Sequence, residues 1–167
     1  MFRRIEDFIG AWETESGLTQ KLLDALTDAS LGRAVAEGHR TLGRIAWHLV
    51  TTIPEMMAKT GLRLEAVKAD APVPTTAAAI REAYAAAAAE LLERVRAEWN
   101  DRTLTVEDEM YGEKWERGNS ARVLVDHQAH HRGQMTVLMR QAGLRVPGVY
   151  GPAKEEWAAF GAPAPEV

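Results

Sequence analysis

The sequence contains no cysteine. Disulfides, thiolate metal ligands and a cysteine nucleophile are therefore excluded, and any sulfur chemistry must come from a small-molecule thiol. No apolar run approaches the length of a transmembrane helix. The start, Met1-Phe2-Arg3-Arg4-Ile5-Glu6-Asp7, continues into acids rather than into the apolar core of a signal peptide. Both absences predict a cytoplasmic protein with no membrane partner. A basic patch or stripe is also missing, and the net charge is −4, so the electrostatic footprint of a nucleic-acid binder is absent. Nor is there convincing period-two alternation of apolar residues, which argues against a β fold.

What the sequence does have is histidine in a telling place. The run Asp126-His127-Gln128-Ala129-His130-His131-Arg132-Gly133-Gln134 sets His127 and His131 one turn apart in an amphipathic helix. They are only about 40° apart around the axis, in the sector of Leu124, Met135, Leu138 and Ala142. Two imidazoles in an apolar stripe are costly unless each finds a partner, and one metal ion satisfies both. The third candidate ligand is His48. It lies at the edge of a second helical stripe formed by Leu42, Ile45, Leu49, Ile53 and Met56. The other two of the five histidines, His39 and His130, are expected not to ligate. A lone helical histidine is more often hydrogen-bonded or solvated than metal-bound.

At these residues the chain resembles the DinB/YfiT-like metalloenzyme family. The resemblance is carried by Gly38-His39-Arg40-Thr41-Leu42-Gly43-Arg44-Ile45-Ala46-Trp47-His48-Leu49 and by the Asp126–Gln134 run. The late segment Val146-Pro147-Gly148-Val149-Tyr150-Gly151-Pro152 is similar too. The resemblance implies a four-helix bundle holding one divalent metal through three histidines, which map onto His48, His127 and His131. It also implies kinship with S-transferases and isomerases that use mycothiol or bacillithiol, and it contributes to the expectation of a homodimer.

The predicted fold is all-α: one domain over residues 1–167, a four-helix bundle with a short C-terminal helix. The first helix is predicted from about Arg3 to about Leu26. Its stripe is interrupted by Glu15, Ser16 and Thr19, which either mark a distortion near Gly17 or line a polar cavity. The second runs from about Thr41 to about Lys59, closed by Gly61 and predicted to kink at Pro54, which lacks an N–H. The third starts near Thr75 or Thr76, both good N-caps. The connection 100–118 reads as a short hairpin or an irregular loop that packs through Trp115. The fourth helix is expected to start at Asn119 or Ser120 and to end at Gly143. A short helix from Ala153 to Phe160 is expected to pack through Trp157 and Phe160.

Three neutral imidazoles and no clearly placed fourth ligand point to an open, catalytic-type metal site rather than a closed structural one. Such an ion lowers the pKa of bound water, polarises a carbonyl or holds a thiol as thiolate. Zinc, nickel, copper and iron all suit histidine, and the ion is expected to leave below about pH 6, where free imidazole takes a proton. Gln134 and Thr52, each one turn beyond a candidate ligand, are candidate supports or substrate contacts, as are Glu15 and Thr19. The function that fits is a divalent-metal-dependent enzyme, a thiol-dependent S-transferase or related hydrolase acting on a small electrophile. The alternative is a non-catalytic metal-binding stress-response protein or partner-binding dimer. Trp47 and Val50, opposite His48 on their helix, are expected to be free to face a second subunit.

Overall fold

The computed structural model describes residues 1–166. Four long helices carry the fold: α1 (Ile5–Asp24), α2 (Leu42–Lys59), α3 (Ala77–Glu98) and α4 (Arg117–Gln141). Between α3 and α4 lies an antiparallel hairpin of β1 (Glu107–Met110) and β2 (Glu113–Glu116). Short 3₁₀ turns follow α1 at Asp28–Ser30, precede the hairpin at Thr103–Thr105 and form the C-terminal segment at Lys154–Phe160. α1 packs against α3 and α4, and α2 packs against the same two, so each long helix has two neighbours. Their apolar faces meet in one cluster that includes Phe8, Trp12, Leu49, Ile53, Leu91, Leu124 and Met135.

Local chemistry explains most boundaries. Thr41 and Thr76 cap α2 and α3, their hydroxyls accepting from the N–H groups of Arg44 and Ala79. Gly61 and Gly143 follow the ends of α2 and α4 with positive φ, where a side chain would be strained. α1 begins at Ile5 rather than Arg3. Its cap comes from far along the chain, because the Asp101 carboxylate accepts from the Ile5 N–H at 2.8 Å. α2 continues through Pro54.

The fold is mostly helical but not all-α. The hairpin turns through Tyr111 and Gly112, both with positive φ, the geometry of a two-residue type I′ turn. β2 then runs directly into α4, so the helix starts at Arg117, ahead of the expected Asn119 or Ser120. An ion pair from Arg117 to Asp108 at 2.7 Å fixes that junction. Gly118 lies so close to the N-terminal segment that an added Cβ would stand 2.2 Å from the Phe2 carbonyl oxygen.

Two expectations about the surface are corrected. Trp47 and Val50 are buried, and the Trp47 indole donates to the Ala71 carbonyl at 2.8 Å. The connector after α2 folds back over this face, so it is not open to a second subunit. At the other end, Trp157 is half-buried but Phe160 is 69% exposed and does not anchor the C-terminal turn.

Candidate metal centre

α2 and α4 pack side by side and bring His48, His127 and His131 together. One ring nitrogen from each lies within 4.8 Å of the others. The Nε2 atoms of His127 and His131 are 3.1 Å apart. Two imidazole nitrogens bound to one zinc-sized ion at about 2.0–2.1 Å each stand about 3.3 Å apart in tetrahedral geometry. The pair therefore fits one small divalent cation.

A hydrogen bond prepares one of the rings, His131, for that role, whereas the buried Nδ1 of His127 has no hydrogen-bond partner. Gln134 accepts from His131 Nδ1 at 2.7 Å through Oε1. A carbonyl oxygen can only accept, so the proton sits on Nδ1 and the Nε2 lone pair is free toward the other rings. The Gln134 amide nitrogen points the other way, to His130 Nε2 at 3.2 Å. His48 and His127 are partly buried, and burial, then the neighbouring imidazoles, pull each from its usual 6.5 to about 4. His131 shifts the same way, mainly through burial and against the pull of the Gln134 hydrogen bond. All three rings are thus neutral at pH 7, as ligation requires.

A cleft of about 620 Å³ opens against this cluster. Its walls are Val35, Ile45, Val137 and Leu138, and its polar lining includes His39, Arg40, His130, His131 and Gln134. Of the triad, His131 lines this cleft.

The remaining candidate residues sit elsewhere. The Thr52 hydroxyl donates to the His48 carbonyl at 2.8 Å, inside its own helix, and Thr52 is buried. Glu15 and Thr19 belong to a polar network on the α1 side of α4. The Arg132 guanidinium, 2% exposed, pairs there with the Glu15 carboxylate and the Tyr150 hydroxyl. It also donates to the Thr19 hydroxyl at 3.0 Å. Of the two readings of the Glu15–Thr19 interruption, the structure shows a polar interior, filled by Arg132.

Sequence reading missed Gln128. Its Oε1 accepts from Thr19 of α1 at 3.1 Å and from Tyr84 of α3 at 3.0 Å. Its amide donates to the Leu49 carbonyl of α2 at 3.4 Å. A single buried side chain therefore links all four helices, one residue from His127. A buried glutamine invites a search for partners, but no sequence pattern names partners on three other helices.

Comparison with known proteins bears on the fold and the family. The chain is 47% identical to the Bacillus subtilis protein YrdA over 167 residues, which is 100% of both chains. It is similar to the crystal structure of a DinB-like protein from Bacillus cereus, at 48% identity and a TM-score of 0.86, covering 90% of this chain and 100% of that one. A DinB-like protein of Bacillus subtilis, YjoA, shares the fold at 13% identity and a TM-score of 0.67, over 86% of this chain and 97% of that one. The DinB family model matches residues 1–166. With the histidine cluster in place and the match running over the described chain, this protein belongs to the DinB family.

Proposed function

We propose that the chain is a divalent-metal-dependent enzyme, a thiol-dependent S-transferase or a related hydrolase acting on a small electrophile. The observation that carries the proposal is three imidazoles from two helices converging beside an open cleft. No cysteine and no carboxylate joins the cluster among the described residues. A site with three protein ligands leaves room for water or substrate, the mark of catalytic rather than structural zinc sites.

His48, His127 and His131 would hold the ion, with zinc, nickel or iron the candidates. When bound, a divalent cation supplies positive charge that favours a thiolate over a thiol or polarises a carbonyl. The chain's own groups do the rest. Gln134 fixes the tautomer of His131, and Gln128 holds the four helices that carry the ligands in register. The apolar walls exclude water from one side of the electrophile. A low-molecular-weight thiol such as bacillithiol or mycothiol would attack as its sulfur anion. With a chlorinated substrate, a carbon–sulfur bond forms, chloride departs and the thiol proton goes to solvent. We place the protein in the cytoplasm as a homodimer.

The test is conjugation of bacillithiol, mycothiol or a simpler thiol to a chlorinated or epoxide electrophile, with and without added metal. Metal-dependent product that disappears in His131→Ala is the expected outcome. Stoichiometric metal with no turnover across thiols and electrophiles would favour a non-catalytic metal-binding protein instead.

A further inference from the structure

The cleft has a chemical polarity that the overall composition does not foreshadow. Acids outnumber bases in the chain, 24 to 20. Yet no carboxylate lines the cleft, and its one fully charged lining residue is Arg40. Among the described residues Arg40 is exposed and forms no ion pair and no side-chain hydrogen bond, so its guanidinium is available to a ligand in the cleft. Glu37, in the same loop, is exposed and is not part of the lining.

Arg40 is held on a short, closed loop. Ala34 and Thr41 form an antiparallel bridge, and between them the chain turns at Gly38, whose φ is 76°. The His39 N–H donates to the Ala36 carbonyl at 3.3 Å within that turn. Thr41 then caps α2, so the backbone of Arg40 is fixed by a bridge and a helix start on its C-terminal side. Arg40 and His131 line the same cleft, so an anion held by the guanidinium lies in the space that opens onto the triad. Val35 and Val137, which line the same cleft, are 61% and 54% exposed and leave it an apolar surface.

We propose that Arg40 anchors a carboxylate, and that the cleft takes a small organic acid with an apolar body lying along Val35, Ile45, Val137 and Leu138. A single guanidinium matches a carboxylate in a two-pronged hydrogen-bonded pair, whereas a doubly charged phosphate is better served by several cations. The other polar groups of the lining, His39, His130, His131 and Gln134, offer ring nitrogens and an amide for hydrogen bonding. The inference rests on the metal-site reading above for one point alone, that the reactive end of the ligand faces His131.

The test is calorimetric binding of phenylbutyrate and of its neutral amide. It uses the protein as purified, and again after chelation, so that carboxylate held by a metal is separated from carboxylate held by arginine. The wild-type protein is expected to prefer the acid by about tenfold or more in both preparations, about 1.4 kcal/mol. Arg40→Gln is expected to bring the two affinities within about twofold while leaving the amide unchanged, and Arg40→Lys to retain part of the preference. Equal affinities in the wild type, a preference that vanishes on chelation, or one that survives in Arg40→Gln would each overturn the proposal. Because the readout is binding, it stands or falls separately from turnover: absent thiol conjugation with an intact Arg40-dependent preference would count against the transferase reading alone.

Discussion

At single residues, the protonation of three imidazoles governs metal binding. The reference pKa of histidine places metal loss below about pH 6. The fold changes that expectation, because burial and mutual repulsion hold His48 and His127 near 4. Protons therefore compete less well than for free imidazole. Bound metal is expected to persist through pH 6 and to fall steeply only below about pH 5. The metal-free protein shows the same groups from the other side. Between pH 6.5 and about 4 the unfolded chain binds protons that the folded chain refuses, so stability falls on acidification through that window. Above pH 7 all forms are neutral and these groups contribute no slope. Thermal melts of chelated protein from pH 4.5 to 7.5 should show the loss, with a flatter profile for His48→Ala; superimposable profiles would refute the assignment. Gln134 offers a second residue-scale check. Losing the acceptor that fixes the His131 ring is expected to weaken metal affinity by about 10–100-fold in Gln134→Ala, read by competition with a chromogenic chelator. Unchanged affinity would mean that the ring is oriented by packing alone.

At the scale of elements, the signals that were local in sequence were legible and those that were not local were not. Thr41, Thr76, Gly61 and Gly143 marked helix ends because a cap is a contact between near neighbours. The start of α4 was misplaced because β2 feeds straight into it and a strand partner, not a side-chain cap, sets the junction. The burial of Trp47 depends on the connector reaching back to it. The histidine pair was readable from one helix, but the Arg132 and Gln128 networks draw partners from separate helices and so left only isolated polar residues in the sequence. These networks make a prediction. Gln128→Ala removes the acceptor of two buried hydroxyls, Thr19 and Tyr84. Thr19 keeps the Glu15 carbonyl as a second acceptor, so one hydroxyl, that of Tyr84, is orphaned, and a loss of about 1–3 kcal/mol is expected in chemical denaturation. A loss under 1 kcal/mol would show that water or relaxation replaces the amide. Gly118→Ala is expected to destabilise as well, by about 1–3 kcal/mol, because the Phe2 backbone must move away from the new Cβ.

The molecule is built of four long helices and a hairpin, and among the described residues no helix is long and apolar enough to cross a membrane. The homodimer remains a proposal based on the prevalence of two-fold assemblies and on family resemblance; Trp47 and Val50 no longer support it. Light scattering should give about twice the 18.4 kDa of one chain, and a mass of one chain at micromolar concentration would end the idea. The central claim is the histidine centre itself. The most direct measurement is elemental analysis of protein purified without chelator and without a nickel column, beside His48→Ala, His127→Ala, His131→Ala, His39→Ala and His130→Ala. One divalent ion per chain is expected in the wild type, retained by the His39 and His130 variants and lost from the other three, each with an unchanged helical spectrum. A wild-type chain free of metal after incubation with zinc, nickel or iron, or a His130→Ala that loses the ion while His131→Ala keeps it, would contradict the account.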